Sequence, residues 1–178
     1  MGYRGGRVSS YTADKVTVQA TREPARVTPV TPGVHSCLRV PADLVVVAFV
    51  RSAIAAVLAR EEWPADGAAR MLLASTEAVT NAIEHGSPLG GAVEVELVVT
   101  THRAQVRVLD EGRPGIGCPV IPAVAPPPTS PRGRGLLIIS RLADDVDLRS
   151  AGHGTQISAG FLRANAAGAE PQPVRRAA

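Results

Sequence analysis

The sequence predicts an α+β fold, a two-layer α/β sandwich with helices on one face of a mixed, mainly antiparallel sheet. Three observations carry that expectation. Val93, Val95, Leu97 and Val99 alternate with Glu94, Glu96 and other residues, the period of a half-buried strand, and a short Thr101-His102-Arg103 link leads into a second such run. Two long helical segments precede this pair. A short helix and two more strand-like runs follow it, giving the order β-α-α-β-β-loop-α-β-β.

At 178 residues the chain has room for one domain with tails. Residues 1–34 mix Gly, Pro, Thr, Ser and Arg without a sustained apolar period and are expected to be a disordered tail, as are residues 163–178. The domain between them, 35–162, opens with the strand candidate His35–Val40, closed by Pro41. A helix is expected from Asp43, placed to cap it, to about Glu62, where Trp63-Pro64 stops it. Asp66 is placed to cap a second helix running to about His85, with Gly86 just past its end. Pro88-Leu89-Gly90-Gly91 turns the chain into the hairpin. Residues 111–134 hold seven of the fifteen prolines and are expected to be a long mobile loop. Gly135–Ala143 reads as a short helix, and 145–149 and 156–161 as strands around an Ala151-Gly152-His153-Gly154 turn.

Composition narrows the function classes. No apolar run is long enough to span a membrane, and the N-terminal MGYRGGRVSSYTADK has no apolar core for a secretory signal, so a cytoplasmic protein without membrane association is expected. The net charge is +3, yet residues 1–36 contribute +3 and 161–178 contribute +2, which leaves 37–160 at −2. A slightly acidic core with only five aromatic residues offers neither a phosphodiester-binding face nor a base-stacking platform, so direct nucleic-acid binding is not expected. Cys37 and Cys118 are far apart, without ligand-spaced partners, and read as reduced thiols.

Four features could carry chemistry. On the second helix, Asn81 lies about 40° from Glu77, with Glu84 about 20° to the other side, while Met71, Leu72, Val79, Ala82 and Ile83 face the opposite way. A solvated face is the plain account, but asparagine is a mediocre choice for one. The strand VRVLD ends in Asp110, with Glu111-Gly112 next and Pro114-Gly115 after, a common turn that also lets a planar ligand approach the backbone. Arg132-Gly133-Arg134-Gly135 opens the short helix, where free N–H groups and arginine forks can hold an anion. Gly154-Thr155 opens the last strand.

In this order the four features resemble the GHKL (Bergerat-fold) ATP-binding superfamily, with its histidine-kinase-like ATPase fold. With the run TEAVTNAIEHG, the chain is most similar to the anti-sigma-factor serine/threonine kinases, over about residues 36–162. The resemblance implies ATP and Mg²⁺ as cofactors, with Asn81 as the metal ligand. It makes Glu77 the catalytic base toward a serine hydroxyl. Asp110 would accept from the adenine amine, Gly112 would clear space beside the base, and Thr155 would help to hold it. Gly133 and Gly135 would offer N–H groups to the phosphates, beside Arg132 and Arg134. The implied partners are a sigma factor, which is sequestered, and a STAS-type anti-sigma-factor antagonist, which is phosphorylated; a homodimer is usual in the family. His85, also in the helix motif, is expected to bond free carbonyls at the helix end.

The chain departs from the family pattern in DEGRPGIG, where Pro114 replaces the second glycine and Gly115 follows one place later. Proline lacks an N–H, so this turn must be rebuilt. That departure supports an alternative, a catalytically weak or inactive ATP-binding regulatory module that works by protein–protein binding. A histidine-kinase catalytic half is disfavoured because 178 residues leave no space for dimerisation helices. Gyrase-type ATPases need a further domain.

Overall fold

β4 (Ala92–Thr100) and β5 (Arg103–Asp110) form the hairpin at the centre of the sheet, with Val93 opposite Asp110 and Val99 opposite Ala104. The computed structural model describes residues 33–123, Pro127 and 133–164 in full, and 12–13 and 16–19 as backbone. Outward from the hairpin lie β3 (Gly33–Pro41) on one side, and β7 (Gly154–Leu162) then β6 (Asp145–Ala151) on the other. Two short strands, β1 (Thr12–Ala13) and β2 (Val16–Gln19), extend the β3 edge and complete the order β1-β2-β3-β4-β5-β7-β6.

The expected two-layer α+β architecture is present, with two differences. Every strand pair is antiparallel rather than mixed. The long crossover after β5 returns to β6, but β7 folds back between them, so the two strands of like direction never become neighbours. The tails expected over 1–34 and from 163 onward also enter the fold in part. The β-branched Thr17 and Val18 pair with Arg39 and Leu38, and β3 itself begins at Gly33. Residues 1–11, 14–15, 20–32 and 165–178 lie outside the described residues.

Asp43 accepts a hydrogen bond from Val45 N at 3.0 Å and opens a single 3₁₀ turn, Leu44–Val46, that runs into α1 (Val47–Arg60). The helix ends in a Schellman closure: Trp63 N donates to Leu58 O and Glu62 N to Ala59 O, with Glu62 left-handed at φ 51°. Arg163, expected to begin a tail, instead donates to the carbonyls of Glu61 and Glu62 and stacks on Trp63. α2 (Ala65–Asn81) starts two residues earlier than expected: Pro64 is the cap, its O accepts from Ala68 N, and Asp66 sits in the first turn. Its carboxylate still faces the positive end of the helix.

α2 does not run unbroken to His85. After Asn81 the helix widens into a π-turn, Ala82–Gly86, closed by Ser87 N donating to Ala82 O at 2.7 Å. Such turns accommodate one extra residue and recur at functional sites. α3 (Gly135–Leu142) packs beside α2, where Arg70 donates to Leu142 O and pairs with Asp144. The core lies between the helices and the sheet and holds Val50, Leu58, Met71, Val95, Val106, Ile139 and Phe161. Burying each large side chain is worth about 1.5–3 kcal/mol. The opposite sheet face is polar, with Glu96 set between His35 and Arg107, and Arg103 laid over Gly160 onto Asp145.

Candidate functional site

The site lies where α2, the π-turn, the ends of β5 and β7, and the start of α3 converge on a cavity of about 320 Å³. That is within the range of small-molecule pockets. Its walls include Asn81, Asp110, Gly133, Gly135 and Thr155, so residues from all four of the sequence motifs meet in one place.

At one end stands the polar face of α2. Glu77 and Asn81 are half-buried, and the Asn81 amide nitrogen is buried without a hydrogen-bond partner. Gly135 crosses directly over them. A Cβ built there would stand 2.7 Å from Asn81 Nδ2 and 3.1 Å from Glu77 Oε2, so only glycine lets α3 begin so close to the pair. Arg134 at the N-cap makes no side-chain cap hydrogen bond, so among the described residues no capping side chain claims the N–H groups of the first turn of α3. Glu84 departs from the expected face. In the π-turn it is exposed to solvent, 3.8 Å from the His85 ring.

At the other end Asp110 is only 8% exposed. Its Oδ1 accepts from Gly112 N and Thr155 N, each at 2.9 Å, and so fixes the strand end and the start of β7 together. Its Oδ2 lies against Gly86, where a Cβ would overlap the carboxylate, and among the described residues it makes no hydrogen bond. Between the two ends the surface is apolar. Val108, Ile157, Leu136 and Leu148 contribute side chains, and the loop supplies Ile116, Pro119, Val120 and Pro122. Ile116 and Val120 are 57% and 83% exposed, as edges of an open mouth would be.

Several expected roles change. Gly112 has φ 78°, and the space it leaves is filled by the backbone of His153 and Gly154 rather than offered to a ligand. The rebuilt turn is a type II turn: Ile116 N donates to Arg113 O at 3.1 Å, Pro114 is its second residue and Gly115 its third at φ 80°. Gly115 thereby lines a second depression of about 730 Å³ behind Asp110 rather than the first cavity. Among the described residues His85 bonds no carbonyl; it is exposed and borders both depressions, while Arg113 donates to Ser87 O and Ile83 O at the helix end. Arg134 donates to Pro127 O across the loop at 3.0 Å, and Arg132 lies outside the described residues.

Sequence reasoning missed Gly86 as a site residue and Arg113 altogether. The one available signal for Gly86 was its position just past a helix bearing polar residues on one face. Arg113 carried no signal, because its partners are backbone carbonyls.

Among the described residues no three His, Cys, Asp or Glu side chains group closely enough to hold a metal ion by themselves. A divalent ion at this site would depend on the Asn81 side-chain oxygen and on oxygens brought by a ligand. That is a donor set suited to Mg²⁺, which commonly binds through substrate phosphates. The unpartnered Asn81 amide beneath the glycine of α3 is consistent with a polar group being received there.

Residues 40–161, more than half of the chain, match the model of the histidine kinase-like ATPase domain. The chain belongs to that family. Among solved structures, the crystal structure of the RsbU and RsbW domains of Rv1364c from Mycobacterium tuberculosis matches with a TM-score of 0.55 at 20% identity. The match covers 74% of this chain and 33% of that one, and at such identity the likeness is one of fold. No curated protein sequence matches. An ATPase domain uses ATP, and a cavity with apolar walls, a carboxylate at one end and a glycine-opened helix at the other suits a purine nucleotide. No helix among the described residues is long and apolar enough to cross a membrane.

Proposed function

We propose that this ATPase domain is a cytoplasmic, Mg²⁺-dependent protein serine kinase that acts as an anti-sigma factor. Its substrate is a serine on a STAS-type anti-sigma-factor antagonist, and its second partner is a sigma factor held in sequestration. The resemblance of the helix motif supports this subtype. The observation that carries it is the approach of Gly135 to Asn81 and Glu77, with Gly135 and Asn81 lining the same cavity as Asp110.

Asp110 accepts the exocyclic amine of adenine through its unbonded Oδ2, while Gly112 N and Thr155 N hold the other oxygen in place. The N–H groups at the start of α3, with Gly133, receive phosphate oxygens at the positive end of the helix. Arg134 adds positive charge to that approach, a role that the resemblance also implies for Arg132. Asn81 would hold the magnesium ion, which supplies charge neutralisation across the triphosphate when bound. Glu77 orients the serine hydroxyl and takes its proton as the serine oxygen bonds to the γ-phosphorus and the bond to ADP breaks. The apolar side chains of Val108, Leu136, Leu148 and Ile157 give the base an apolar surface to lie against.

The deciding experiment incubates the chain with γ-labelled ATP, Mg²⁺ and candidate STAS-domain proteins. Label on a partner serine, abolished by Glu77→Ala while ATP binding persists, supports the kinase. ATP binding without label on any partner supports the alternative, a regulatory module that binds nucleotide and works by protein–protein contact.

A further inference from the structure

We propose that Arg113 is a positioning residue for the base end of the cavity. It ties the turn after Asp110 to the last turn of the helix carrying Glu77 and Asn81, and so sets the gap between Gly86 and the Asp110 carboxylate. The proposal rests on the nucleotide reading of the cavity.

Arg113 Nε donates to Ser87 O at 2.5 Å and its Nη2 to Ile83 O at 3.3 Å. These carbonyls need donors because of how the helix ends. Ser87 N is spent on Ala82 O in the π-turn, and the next N–H in that pattern, which would serve Ile83 O, is missing because residue 88 is proline. A guanidinium supplies both bonds, and its charge faces the negative end of the helix.

The arm that delivers it is stiff. Proline at 114 restricts Arg113 to extended backbone, and the type II turn to Ile116 closes through the Arg113 carbonyl. The substitution of proline for glycine in this segment therefore creates a brace. On its far side the braced π-turn presses Gly86 against Asp110, leaving no space for a Cβ. A shift of the turn moves Gly86 relative to Oδ2, the one oxygen of Asp110 that the described residues leave unbonded.

The test uses the full chain and calorimetric titration with Mg-ATP and Mg-ITP, since inosine carries an oxygen where adenine has its amine. Arg113→Met keeps the stem and removes the donors. Its ATP affinity is expected to fall about tenfold, the scale of one charged hydrogen bond. Its ATP-to-ITP preference is expected to shrink toward one, with Arg113→Lys recovering part of it. A preference unchanged in Arg113→Met, whatever happens to its melting temperature, overturns the proposal and leaves the nucleotide reading standing. If Arg113→Met does not fold, Arg113→Lys decides by the same ratio: reduced supports the brace, unchanged overturns it. A wild-type chain that binds neither nucleotide removes the nucleotide reading, and the Arg113 role falls with it.

Discussion

Gly135 lies over Asn81 so closely that a methyl group on its α-carbon would stand 2.7 Å from the amide nitrogen. The atoms it would meet are the ends of flexible side chains, so Gly135→Ala displaces Asn81 and Glu77 without breaking the fold. Alanine is also worth up to about 1 kcal/mol over glycine within a helix. The variant should melt within a few degrees of the wild type and bind Mg-ATP at least about tenfold more weakly, a loss of about 1.4 kcal/mol. Calorimetry beside a thermal scan checks both halves. Undiminished binding would separate the Asn81 pair from the triphosphate.

Asp110→Asn probes the other end. The amide oxygen can still accept from Gly112 and Thr155, but a donor replaces the open oxygen and faces the adenine amine. ATP affinity should drop by about 1.5–3 kcal/mol, the value of a charge-assisted hydrogen bond. Melting temperature should change little in the absence of nucleotide. A titration curve matching wild type would detach Asp110 from the base.

Glu62 offers a test of the fold alone. It is the one described non-glycine residue with positive φ, at 51°, in the Schellman closure of α1. Glu62→Gly should stabilise the chain by about 1 kcal/mol by relieving the left-handed conformation. Denaturant unfolding reads this as a higher midpoint. A lower midpoint would mean that the Glu62 side chain stabilises the turn more than its backbone strains it.

The two thiols should separate by reactivity. Burial, then the negative charges of Glu94 and Glu96, push the Cys37 thiol up, whereas Cys118 is exposed on the loop. Near neutral pH an alkylating reagent should modify Cys118 first, because the thiolate is the reactive form. The raised value also carries a stability signature. Above the ordinary thiol pKa of about 8.5, the unfolded chain loses the Cys37 proton while the folded chain keeps it, so stability falls as pH rises toward the folded value. Cys37→Ser should flatten that slope in unfolding measured from pH 8 upward, and an unaltered slope would assign it to other groups.

The parts of the fold governed by local periodicity were legible before any coordinates. Val93 to Val99 had to show one face to a core, and Asp43 does cap the 3₁₀ turn before α1. The glycine and carboxylate positions of the cavity were legible as separate motifs, and the fold brings Asn81, Asp110, Gly135 and Thr155 together. Features that depend on contacts between distant segments were not. The widening of the helix after Asn81 depends on Ser87 reaching Ala82 and on Arg113 from another loop, neither of which a 100° periodicity contains. Gly112 looked like room for a ligand because nothing nearby in sequence announces that the His153-Gly154 backbone occupies it.

Asp110 Oδ1 joins the amides of Gly112, in the segment after β5, and Thr155, at the start of β7, at a single atom. Occupancy at the neighbouring oxygen is therefore felt in both places at once. Solvent exchange at these two amides should slow in concert when a ligand engages the carboxylate, a paired reporter that needs no knowledge of which partner protein follows.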